Sequence, residues 1–156
     1  KKFFNKTILL AGSISNGNDV AAAIQIGADL AWMGTRFINV EESLADKEYK
    51  KMIIDSSAED IVYTAAVSGV NASFLRSSLE AMGITEEMWS KTKKIDFGSE
   101  LDAAKAEAKA WKTIWSAGQG VTSIKNVMSI RSLVSELKEE FLLGLERMKD
   151  VYKTYN

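Results

Sequence analysis

Two short glycine turns carry the residue types best suited to chemistry. Gly12-Ser13 follows the apolar run Thr7-Ile8-Leu9-Leu10-Ala11, and Gly34-Thr35 follows Leu30-Ala31-Trp32-Met33. Glycine lets a backbone approach a ligand closely, and the hydroxyls of Ser13 and Thr35 add donors to the main-chain N–H groups. Two turns at the same edge of one sheet can converge on one anion, with the positive end of a helix starting near Asp19 beside them. The chemistry implied is a phosphate cradle. Glycine after a strand also makes a plain tight turn, so the case rests on two such turns in register, with Gly27-Ala28-Asp29 leading into the second strand. Barrel enzymes build this kind of phosphate site after their seventh and eighth strands.

Composition excludes much else. The 156 residues include no Cys and no His, which removes thiol nucleophiles, disulfides and zinc sites, together with the commonest general base. No metal site is expected and no residue is nominated as catalytic. Twenty Lys plus Arg against 21 Asp plus Glu leave a net charge of −1, so neither nucleic acid nor an anionic membrane is an expected partner. No apolar run approaches the ~18–20 residues that span a bilayer, and no signal-type h-region opens the chain. The expected location is cytoplasmic. Lys1-Lys2-Phe3-Phe4 stands just ahead of a buried-type strand without an initiator Met, which reads as an internal start with more protein upstream.

The elements that must hold the turns are α/β. The run 7–11 has the continuous apolar pattern of a parallel strand covered on both faces. Asn18 or Asp19 is placed to cap a helix through Val20, Ala23 and Ile24 that ends at Gly27. A second strand follows at Leu30–Met33, so the segment is a βαβ unit with a right-handed crossover. Both turns then leave strands at their carboxyl ends, where ligands of such sheets bind.

Farther on, Leu44, Tyr49, Met52 and Ile53 predict a helix over 41–57, with Glu41-Glu42 stabilising its start. A β-rich run covers 61–67, a helix covers 72–82, and a short helix is expected at 85–91. A loop over 91–99 and a helix over 100–115 come next, the latter docked by Trp111 and Trp115. After the loop Ser116–Gly120, Ile130, Leu133, Val134, Leu137, Phe141, Leu145, Met148 and Tyr152 mark a long amphipathic helix capped by Ser129.

Ala11-Gly12-Ser13-Ile14, Gly17, Val20-Ala21-Ala22-Ala23, Gly27-Ala28-Asp29, Trp32-Met33-Gly34-Thr35-Arg36-Phe37 and Glu41-Glu42-Ser43 closely resemble the FMN-phosphate segment of nitronate monooxygenases, also called 2-nitropropane dioxygenases. Asp60-Ile61-Val62-Tyr63-Thr64, Ser68-Gly69-Val70, Leu75-Arg76 and Trp115-Ser116-Ala117-Gly118-Gln119-Gly120-Val121 are similar to that family's downstream blocks, in order over nearly the whole chain. The first segment is also similar to FMN-dependent enoyl-ACP reductases of the same fold. The last block narrows the likeness toward nitronate monooxygenases.

The resemblance implies the C-terminal part of a (β/α)8 TIM barrel with a smaller α+β inserted domain. Residues 1–42 would be the last two βα units, 43–113 the mostly helical insertion, and 114–156 a return loop and closing helix. It implies a cytoplasmic flavoprotein oxidoreductase that uses FMN and O2 to oxidise an alkyl nitronate, with Gly12, Ser13, Trp32, Met33, Gly34 and Thr35 at the cofactor. The family's catalytic histidine lies upstream of the matched region, so the missing N-terminal half of the barrel is an expected partner; a homodimer is left open. Gln119 is expected near flavin or substrate, beside the plainer reading of a loop glutamine that bonds backbone. Where the family commonly has Gly-Gly, this chain has Gly12-Ser13. The other class left open is a non-catalytic α/β module that binds a phosphate-bearing ligand.

Overall fold

The computed structural model describes residues 3–67, 69–90 and 113–155. The expected loop 91–99 and most of the expected helix 100–115, Trp111 included, lie outside them. Among the described residues the order is β1 (Leu9–Ala11), α1 (Gly17–Gln25), β2 (Leu30–Trp32), α2 (Thr35–Ile38), α3 (Lys47–Asp55), β3 (Ile61–Thr64), β4 (Ala72–Leu75), α4 (Arg76–Ala81), α5 (Glu86–Trp89) and α6 (Ile130–Tyr155). The chain divides into two compact units, one of residues 1–45 with 123–156 and one of residues 46–122.

In the first unit β1 and β2 pair in parallel, with Leu9 opposite Leu30, Leu10 opposite Ala31 and Ala11 opposite Trp32. Asp29 pins this register: its carboxylate accepts from the Ile8 N–H at 2.9 Å, and its own N–H donates to the Ile8 carbonyl at 2.8 Å. Alternation along the strands puts Leu9, Ala11, Leu30 and Trp32 on one exposed face, with Trp32 60% exposed. The apolar run was expected to be covered on both sides. Two described strands cannot close the barrel interior that such a run is built for.

The cap of α1 lies two residues before the nearer of the two expected cap residues, Asn18 and Asp19. Asn16 accepts from the Asp19 N–H at 2.9 Å, while the Asp19 carboxylate accepts from the Asn16 and Ser15 N–H groups at 3.2 and 2.8 Å. This reciprocal capping box selects Asn16 over Asn18 and Asp19. The helix closes, as expected, at Gly27, whose φ of +104° favours glycine.

Helices α1 and α6 meet backbone to backbone. A Cβ at Gly17 would lie 2.1 Å from the Leu137 carbonyl oxygen, and one at Gly144 would lie 3.2 Å from the Ala21 Cβ. Ser129 caps α6 as expected, accepting from the Ser132 N–H at 3.2 Å. Glu41 and Glu42 open no helix of their own. Glu41 donates its N–H to the Met128 carbonyl, and the Glu42 carboxylate accepts the Ile130 N–H at 2.9 Å, capping a helix 88 residues away.

In the second unit β3 and β4 are antiparallel, Ile61 opposite Leu75 through Thr64 opposite Ala72. Residues 72–75, expected to begin a helix, are therefore a strand, and α4 starts only at Arg76. Helix α3 is likewise shorter than expected, and Leu44 lies outside it, fully exposed. Val62, Ala66, Phe74, Leu79, Ile84, Trp89 and Ile114 form the core of this unit, where burying each large apolar side chain contributes about 1.5–3 kcal/mol. Among the described residues no helix is long and apolar enough to cross a membrane.

Candidate phosphate-binding site

Because β1 and β2 run parallel and end on the pair Ala11–Trp32, the turns after them leave the same edge of the sheet. Gly12 has φ +100° and Ser13 φ +55°, two successive left-handed residues. Turns of this kind gather neighbouring N–H groups into anion-accepting concavities. Gly34 precedes α2, and its carbonyl accepts from the Phe37 N–H at 3.0 Å. A Cβ added at Gly12 or at Gly34 would meet nothing within 4 Å, so both turns face open space. Ser13 is exposed, Thr35 is the half-buried first residue of α2, Met33 is half-buried and the Trp32 side chain is exposed.

Ser13 is, among the described residues, the one non-glycine with a left-handed φ, a conformation that costs a residue with a Cβ about 1–2 kcal/mol. Two substitutions separate its backbone from its hydroxyl. Ser13→Gly relieves the strain and is expected to raise unfolding stability by about 0.5–1 kcal/mol. Ser13→Ala keeps the strain and removes only the hydroxyl, so any loss of phosphate affinity it causes, read by ligand titration, reports that group alone.

The sequence places the positive end of α1 beside the anion; the structure gives that end a different role. The Ser15 and Asn16 N–H groups donate to Asp19, and the Gly17 N–H donates to Glu140 Oε2 at 2.7 Å. Two carboxylates thus already take the amides that a phosphate would need at this helix end.

Arg36, which the sequence placed only within a motif, is 4% exposed and stands on α2 directly after Thr35. Its Nη2 lies 3.5 Å from the Met128 sulfur, and its Nη1 is buried without a hydrogen-bond partner. Burial pushes the guanidinium below its ordinary pKa, and the charges of Glu136 and Glu140 act in the opposite direction. The only local signal was a cation placed directly after Gly-Thr.

In the second unit the block 115–121 is tied to its neighbours by backbone. Leu75 donates its N–H to the Trp115 carbonyl at 2.9 Å, Phe74 and Ser116 form an antiparallel bridge, and the Tyr49 hydroxyl donates to the Ser116 carbonyl. Trp115, expected on a helix, stacks instead on Tyr49 with ring centroids 5.0 Å apart. Gln119 opens a 3-10 turn, Gln119–Ser123, with its side chain exposed.

A family model described as nitronate monooxygenase matches residues 7–140. The chain belongs to the nitronate monooxygenase family. It is 30% identical to the nitronate monooxygenase of Paraburkholderia phytofirmans over 148 residues, which cover 91% of this chain and 40% of that protein. FabK from Thermotoga maritima shares its fold with a TM-score of 0.73 and 27% identity, over 95% of this chain and 48% of FabK. Nitroalkane oxidase from Streptomyces ansochromogenes does so with a TM-score of 0.66 and 26% identity, over 93% of this chain and 42% of that one. The chain therefore spans under half the length of the family members it matches, and its fold is part of an α/β barrel. Family membership covers both glycine turns, α1, β2 and the capped start of α6.

Proposed function

We propose that the protein carrying this chain is an FMN-dependent nitronate monooxygenase, and that this chain holds the phosphate of the flavin. The observation that carries the reading is the pair of turns: Gly12-Ser13 and Gly34-Thr35 leave adjacent, registered strands at one edge and face open space. Gly12, Ser13, Trp32, Met33, Gly34 and Thr35 would hold the cofactor there, mostly through main-chain N–H groups. When bound, FMN supplies the redox chemistry, oxidation of an alkyl nitronate with O2 to a carbonyl compound and nitrite. This chain's part is to fix the cofactor by its charged tail, so that the ring is presented reproducibly to groups on the rest of the protein. With no histidine in the sequence, proton abstraction by an imidazole belongs to that remainder.

Residues 1–42 are assigned to the last two βα units of the barrel, 43–113 to the insertion and 114–156 to the return loop and closing helix. The remaining strands would cover the exposed face of Leu9, Leu30 and Trp32, an apolar surface that soluble domains rarely leave open. Gln119 is assigned to the flavin or substrate from its glycine-flanked loop, and Gln119→Ala should raise KM for the nitronate while leaving FMN content unchanged.

The experiment is turnover by the full-length protein. We expect a yellow protein that consumes O2 and releases nitrite from propionate 3-nitronate. NADPH-driven reduction of a crotonyl thioester without nitronate turnover would overturn the assignment in favour of an enoyl reductase. A stable colourless protein that takes up no FMN would favour a non-catalytic module.

A further inference from the structure

A two-turn grip on one phosphate depends on the placement of each turn, and one side chain of α6 holds the helix that follows the first. Glu140 Oε2 accepts the Gly17 N–H at 2.7 Å, at the first residue of α1 and four residues beyond Ser13. Gly17 lacks a side chain, so the start of α1 rests directly on the α6 backbone at Leu137 and Phe141, the turn that carries Glu140.

We propose that Glu140 is a positioning residue for the phosphate grip: its carboxylate holds the start of α1 through the Gly17 N–H, and so fixes the Gly12-Ser13 turn that leads into that helix. The proposal rests on the phosphate reading above. Glu140 itself touches no ligand; it acts through the backbone at the start of α1.

Riboflavin carries the same ring as FMN without the phosphate, so the ratio of their dissociation constants isolates the grip. In the full-length protein, Glu140→Ala is expected to cut the preference for FMN over riboflavin about tenfold, the equivalent of losing one charge-assisted hydrogen bond. Riboflavin affinity should stay within about twofold. Glu140→Gln keeps an acceptor for the Gly17 N–H but loses the charge, and is expected to fall between parent and alanine variant. Glu136→Gln, which removes a charge from the same helix one turn earlier, should leave the ratio unchanged. An unaltered ratio in Glu140→Ala, equal losses for both ligands, or a drop in Glu136→Gln as large as that in Glu140→Gln would overturn the proposal. Should the alanine variant fail to fold, Glu140→Gln decides alone, and a preserved ratio overturns it. A parent protein that binds riboflavin as tightly as FMN would instead overturn the phosphate reading.

Discussion

Replacing Gly17 by alanine is expected to destabilise the first unit by about 3 kcal/mol, near the upper end of what overpacking costs. The new Cβ would stand 2.1 Å from the Leu137 carbonyl oxygen, 2.5 Å from the Phe141 nitrogen and 2.6 Å from the Glu140 Cβ. The nearest two atoms are helix backbone and no rotamer can move them, so α1 must lift from α6 as a body. Lifting α1 also breaks the Gly17–Glu140 bond and displaces the turn at Ser13, so under the proposed function FMN affinity should fall along with stability. Gly144 supplies the contrast on the same interface. A Cβ there meets the Ala21 Cβ at 3.2 Å and Asn18 Oδ1 at 3.3 Å, contacts that yield with a few tenths of an ångström. Alanine also gains about 1 kcal/mol of helix propensity over glycine in a helix interior. Gly144→Ala should therefore be close to neutral. Urea unfolding of both variants checks the pair, and equal effects would show that the α1–α6 approach is not backbone-limited.

What the sequence made legible were the features written in local chemistry. The βαβ unit follows from two apolar runs, a glycine-closed helix and the dozen residues between them, and it emerges with both turns at one edge. The long amphipathic helix and its Ser129 cap were equally local. The cap of α1 was missed by two residues because Asn16, Asn18 and Asp19 are all good cap residues; only the reciprocal bonds between Asn16 and Asp19 choose among them. Residues 72–75 were read as helix because their spacing allows it. They become a strand through partners that spacing cannot reveal, β3 along one side and Ser116 on the other.

The supports of the site were invisible for the same reason. Glu42 caps a helix 88 residues away, and Glu140 bonds an amide 123 residues before it. In the sequence each is one acid among 21. Their placement also reverses an expectation about charge, since the start of α1 is a filled anion site before any ligand arrives. On the proposed reading, affinity for a phosphate then comes from turn amides at Gly12-Ser13 and Gly34-Thr35, where both glycines leave the approach open.

Two adjacent serines on α4 should respond in opposite ways to the same change, and the first of them carries the second large effect. Ser78 is fully buried, and its Oγ donates to the Thr113 carbonyl at 2.8 Å while accepting from the Trp115 N–H at 2.6 Å. Alanine removes both bonds at once from a place water does not reach, at a cost of about 1–3 kcal/mol for each polar group left behind. We expect Ser78→Ala to lose about 2–5 kcal/mol on that basis. The amide of Trp115 should also exchange with solvent markedly faster, because its Oγ acceptor is gone. Ser77 is the counter-case. Its Oγ is buried with no hydrogen-bond partner, so Ser77→Ala discards a desolvated hydroxyl that bonds nothing and should be neutral or mildly stabilising. Ser78 and Tyr49 both hold the segment that leads into Gln119. Under the function proposed above, the Ser78 variant of the full-length protein should therefore raise KM for the nitronate more than it lowers FMN content. Equal stability of the two serine variants in urea would show that the Ser78 bridge contributes nothing beyond its volume.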